Sequence, residues 1–80
     1  MIAIDTPADL GNAIRKTRKA LGLTQPQLAL AAGVGVRFIV ELEAGKPTVR
    51  LENVLRVVGA LGGKLTMEGM PPESTAEGEA

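Results

Sequence analysis

The side chains with the most specific chemistry to offer lie between residues 36 and 50. Arg37 carries a planar fork of donors that matches the O6 and N7 acceptors of guanine, although a phosphate contact or plain solvation would suit it too. Val36 has the size to touch a thymine methyl. Glu41 can accept from cytosine N4, or simply pair with a neighbouring Arg or Lys. Lys46 and Arg50 follow, suited either to phosphates or to keeping a loop solvated. This is recognition chemistry rather than bond-making chemistry. The chain has no histidine and no cysteine. The commonest general base and the commonest metal ligand are therefore missing, and disulfides and thiolate metal sites are excluded. No carboxylate pair stands where a cleft would hold it, so the sequence reads as a non-enzyme with no metal and no cofactor.

Elements with helical spacing must position these groups. A helix is expected from Gly35 or Val36 to Glu43, with Ile39 and Leu42 as its inward pair, Gly45 as its stop and Pro47 beyond. That arrangement leaves Gly35, Val36, Arg37, Val40 and Glu41 on the outer edge. The preceding helix has full start signals: Thr24-Gln25-Pro26-Gln27 is a capping box, and Leu23 and Leu28 can form a hydrophobic staple. Ala29, Ala31 and Ala32 are small, and Gly33 ends the helix by taking a positive φ. The two short helices, joined through Gly33-Val34, must share one core built from Leu28, Ala32, Val34, Ile39 and Leu42. The result is a helix-turn-helix whose second helix keeps an edge free for the major groove.

Ahead of this pair, Thr6, Pro7 and Asp9 start a helix that Gly22 ends, with Leu10, Ile14, Thr17 and Leu21 as its inward stripe. A fourth helix, roughly Arg50 to Leu61, presents Leu51, Val54, Leu55, Val58 and Leu61, and Gly62-Gly63 ends it. Residues 64–68 alternate polar and apolar in the manner of a strand, with Leu65 and Met67 on one side. The expected organisation is an arm at 1–5, a DNA-binding domain at 6–62, a dimerisation strand at 63–70 and a disordered acidic tail at 71–80. The strand could pair with Ile2-Ala3-Ile4 or with its counterpart in a second copy, and the second copy is preferred because the aliphatic fourth helix would then be covered.

Composition sets the limits. Eighty residues make one small domain, and Phe38 is the only aromatic, so the core must be aliphatic. The net charge is zero, but residues 71–80 carry −3 and residues 10–50 carry +5, from seven bases against Glu41 and Glu43. A neutral whole with a basic middle suits a specific DNA binder better than a polycationic packager. No apolar run approaches the ~18 residues of a membrane span, and Met1 to Asp5 lacks the basic start of a secretory signal, so a cytoplasmic protein without a membrane partner is expected.

Several motifs agree at fixed spacing: Leu21-Gly22-Leu23-Thr24-Gln25, Leu28-Ala29, Ala32-Gly33-Val34, Ile39, and Leu42-Glu43-Ala44-Gly45-Lys46-Pro47. Together they resemble the lambda-repressor-like (XRE) helix-turn-helix family over about residues 9–62. The implied fold is all-α, a four- to five-helix domain with a short C-terminal β-strand paired in a dimer. A narrower resemblance, to HipB-like antitoxins, rests on Arg37-Phe38-Ile39, Glu41-Leu42-Glu43, Gly45-Lys46-Pro47-Thr48, Leu55-Arg56-Val57 and Ala60-Leu61-Gly62. It implies an autorepressing homodimer on double-stranded operator DNA that neutralises a HipA-like serine/threonine kinase toxin. By the same resemblance Gln25, beside its cap Thr24, reaches a phosphate, and Arg18 and Glu43 form a structural ion pair. The chain departs from the family pattern at Gly35 and Val36, where polar or hydroxyl residues are usual, and at Arg50, where Ser or Thr would cap the next helix.

Overall fold

The computed structural model describes residues 2–69. Four helices form among them: α1 (Pro7–Ala20), α2 (Gln25–Ala32), α3 (Val36–Glu43) and α4 (Leu51–Ala60). The first two start on local chemistry. Thr6 accepts the Asp9 N–H at 3.1 Å while the Asp9 carboxylate takes the Thr6 N–H at 3.2 Å. Thr24 and Gln27 repeat the exchange at 3.2 and 2.8 Å. Neither α3 nor α4 has a side-chain cap, because Gly35 and Arg50 stand at their starts. These two helices depend on burial instead, as short helices generally do.

The core is aliphatic: Ile14, Leu28, Ala29, Ala32, Ile39, Leu42, Val54, Val57 and Val58. Helix α2 packs on both α3 and α4, and α1 packs on α3. Phe38 lies half-buried against this core. The join between α2 and α3 is tight. Gly33 takes φ +73°, and the Val34 N–H returns to the Ala29 carbonyl at 3.0 Å. Helix α1 approaches the end of α3 more closely than any side chain would permit. A Cβ on Gly11 would stand 2.5 Å from the Leu42 carbonyl oxygen and 2.8 Å from that of Glu43.

Three expectations need correction. Leu21 is exposed, because α1 ends there and α2 turns away. On α4 the buried side is rotated by about one residue: Val57 is fully buried, whereas Leu51 (66% exposed) and Leu55 (49%) face outward, since α2 covers the other edge. Within a single chain the expected strand does not form. Residues 63–68 carry no strand assignment, and no strand occurs among the described residues. Pairing with Ile2–Ile4 is likewise absent, and a strand without a partner backbone has no ladder to join. Residue 70 and the expected acidic tail at 71–80 lie outside the described residues.

Candidate nucleic-acid interface

Helix α3 turns Ile39 and Leu42 fully inward. At about 100° per residue, Val36, Val40, Arg37 and Glu41 then fall within an arc of roughly 140° on the other side. All four reach solvent: Val36 and Val40 are exposed by 42% and 44%, the Arg37 side chain by 91% and that of Glu41 by 31%. Gly35 is exposed in ordinary extended backbone, with open space where a side chain would stand. The Arg37 Nε donates to the Glu41 carboxylate at 3.4 Å, and Lys46 Nζ approaches the other carboxylate oxygen at 3.4 Å. Lys46 also donates its backbone N–H to the Glu41 carbonyl at 3.1 Å. Arg50 is exposed at the start of α4 and has no ion pair among the described residues.

Beside α3 lies the start of α2. Its polar groups are nearly all engaged. The Thr24 hydroxyl takes the Gln27 N–H, the Thr24 N–H goes to Gln27 Oε1, and Pro26 has no N–H. Of the first-turn N–H groups, that of Gln25 alone is left for an anion such as a phosphate. The Gln25 side chain turns inward and donates from Nε2 to Glu43 at 3.1 Å.

Glu43 is the hub that fixes this geometry. Arg18 Nε and Nη2 reach its two oxygens at 2.6 and 3.0 Å, and Arg18 Nη1 donates to the Leu23 carbonyl at 2.8 Å. The pair is withdrawn from solvent, with side chains 10% and 4% exposed. Burial alone would raise the Glu43 carboxyl pKa. Hydrogen bonds from Arg18 and Gln25, with the charges of Arg18 and Arg15, outweigh burial and hold it below its ordinary value. The bond from Glu43 raises Arg18 in turn, against the burial that lowers it. One buried carboxylate therefore ties α1, the start of α2 and the end of α3 together. Neither the Gln25 contact nor the Gly11 approach has a local sign in the sequence, since the partners are distant along the chain.

Of the seven bases in residues 10–50, Arg15, Lys16, Lys19 and Arg50 have no ion-pair partner among the described residues. In the segment after α4, Leu65 is 44% exposed and lines a groove with Ile4, Leu10, Lys46 and Leu51, and Met67 is 78% exposed. No group of potential metal ligands occurs among the described residues, and no helix there is long and apolar enough to cross a membrane.

Known proteins share this arrangement. Residues 14–67 match the helix-turn-helix family HTH_3. Over 59 residues, 74% of this chain and 78% of the relative, the sequence is 56% identical to an uncharacterized HTH-type transcriptional regulator, y4mF, of Sinorhizobium fredii (strain NBRC 101917 / NGR234). Among solved structures, a chain of a HipB-O4 20mer complex superposes with a TM-score of 0.80 at 24% identity, covering 89% of this chain and 100% of that one. A chain of a HipA-HipB-O2-O3 complex gives the same values. At that identity the likeness carries the lambda-repressor-like, all-α fold. With the family match covering more than half of its length, the chain belongs to the HTH_3 helix-turn-helix family and is a DNA-binding transcriptional regulator of the XRE type, not an enzyme.

Proposed function

We propose that this chain is an autorepressing antitoxin of the HipB kind, which binds an operator as a homodimer and neutralises a HipA-like serine/threonine kinase toxin. The observation that carries this reading is the uncovered edge of α3, on a fold that superposes on chains from HipB complexes with an O4 20mer and with HipA. In it, α3 enters the major groove, Arg37 reads guanine, and Val36 and Val40 lie against thymine methyls. Thr24, Gln25, Gly35, Lys46 and Arg50 flank the phosphates, where the free Gln25 N–H is the backbone donor. Residues 63–70 pair with the same segment of a second copy, and Leu65 and Met67 cover the outward Leu51 and Leu55 of α4.

The test is binding to the DNA that precedes the chain's own reading frame. The wild type should retard that fragment with affinity that falls steeply as salt rises, by ~0.9 log units per log unit of salt for each phosphate contact. Arg37→Ala should weaken this binding by about 1–3 kcal/mol and leave random DNA less affected. A second reading, a toxin-binding module with weak DNA affinity, draws on the apolar character of Val36 and Val40. Inhibition of a HipA-like kinase, with no retardation of the fragment, would favour that second reading.

A further inference from the structure

We propose that Glu41 determines specificity by restraining the cations beside it. It positions Arg37 for base reading and opposes the binding of random DNA. This proposal rests on the DNA reading above. Two independent features of the geometry support it.

The first is the atom through which Arg37 is held. Glu41 takes the Nε of Arg37 at 3.4 Å. The terminal Nη1 and Nη2 have no partner among the described residues, and these are the two donors that would face guanine O6 and N7. A side chain 91% exposed would otherwise sweep a wide range of rotamers. The carboxylate one helical turn away narrows that range and leaves the reading face open.

The second feature is charge. The only acids between residues 10 and 50 are Glu41 and Glu43. Glu43 is turned inward and matched by Arg18. Glu41 is therefore the one outward carboxylate in the basic region, and it stands within 3.4 Å of both Arg37 and Lys46. Random DNA is bound through phosphates alone. For Arg37 or Lys46 to take a phosphate, each must leave Glu41, and the carboxylate is then left unpaired against a polyanion. On the right sequence Arg37 contacts guanine through Nη1 and Nη2 without leaving Glu41. The restraint thus falls on wrong sites more heavily than on the right one.

The test is Glu41→Gln, which keeps size and shape and removes the charge. Fluorescence anisotropy is measured on a random-sequence duplex and on the fragment preceding the reading frame, over a salt series. The variant should bind the random duplex more tightly, with a salt slope steeper by ~0.9 for each phosphate that Arg37 or Lys46 now takes. The ratio of the two dissociation constants should fall by about twofold, the worth of one exposed pair a helical turn apart. In an Arg37→Ala background, Glu41→Gln should change that ratio much less, because the positioning acts through Arg37. Unchanged random binding and an unchanged ratio would overturn the proposal. So would a loss confined to the specific fragment, which would make Glu41 a direct base contact. Absence of salt-dependent binding by the wild type on either duplex would overturn the DNA reading itself, a result distinguishable from the others.

Discussion

Removing Glu43 should cost this domain more than any other single polar substitution near α3. Glu43→Ala deletes the acceptor of two Arg18 bonds, at 2.6 and 3.0 Å, and of the Gln25 bond at 3.1 Å. Arg18 keeps only its contact with the Leu23 carbonyl, and its side chain is 10% exposed. An uncompensated charge at that depth costs about 3–5 kcal/mol. A chain of this length holds roughly 4–12 kcal/mol in total, so much of the margin goes. The midpoint of thermal unfolding by circular dichroism should drop by on the order of 12–40 °C. The paired replacement Arg18→Met with Glu43→Leu should recover most of the loss, because it buries no charge. Acid should act in the same direction. Glu43 has its folded pKa below the unfolded value, so its contribution is present above the unfolded value and lost as pH falls through the folded one. Wild-type stability should therefore decline below the ordinary carboxylate range, and Glu43→Ala should lose that component of the decline. Arg18, raised, contributes throughout the working pH range. A loss under about 1 kcal/mol for Glu43→Ala, as for a surface pair, or a double variant as unstable as the single one, would refute the reasoning.

Three further outcomes are expected. Gly11→Ala drives a Cβ into two backbone oxygens, which overpacks the α1–α3 contact by about 2–3 kcal/mol against about 1 from better helix propensity; the urea midpoint should fall with an unchanged slope, and a rise would show that α1 can back away freely. Gly35→Ser has open space and ordinary extended backbone, so it should cap α3 and raise the melting temperature by about 1–3 °C for a gain of a few tenths of a kcal/mol. Ending the chain before Lys64 should convert a dimer into a monomer in sedimentation equilibrium, and a truncated chain that remains dimeric would place the interface elsewhere.

What the sequence revealed was local. The Thr6 and Thr24 caps, the Gly33 turn and the inward pair Ile39 and Leu42 each follow from residues within a turn or two of one another, and all four stand in the structure. What it concealed depended on contacts between distant segments. Periodicity gave α4 an apolar side, but Leu51, Val54, Leu55 and Val58 fit that side as well as Val54, Val57 and Val58 do. Only the seat of α2 decides that Val57 is buried and Leu51 is not. Gly11 reads as a poor helix residue until the carbonyls of Leu42 and Glu43 are seen against it. Glu41 was legible as either a base acceptor or an ion-pair partner. The residues alone leave both open, because the approach of Lys46 depends on the turn after α3. Alternation at 64–68 specifies which residues share a side of a strand and says nothing of whether a partner backbone is present.

The composition of the α3 edge also bears on how many copies a specific complex needs. Val36 and Val40 offer only apolar contact, and Gly35 offers no side chain, so Arg37 is the one fork available to a base pair. A bidentate contact discriminates by about 1–3 kcal/mol. Specific operators are separated from random DNA by about 4–10 kcal/mol. One copy of this helix therefore falls short, and two copies on a two-fold site reach only the lower part of that range. Phosphate contacts cannot fill the gap, because they strengthen right and wrong sites alike. The remaining discrimination can come from DNA shape and from lowering the affinity of wrong sites, and a lone outward carboxylate between two cations supplies the second. On an edge this poor in hydrogen-bonding groups, loss of the second copy or of Glu41 should reduce discrimination, and loss of Glu41 should do so while raising binding to random DNA.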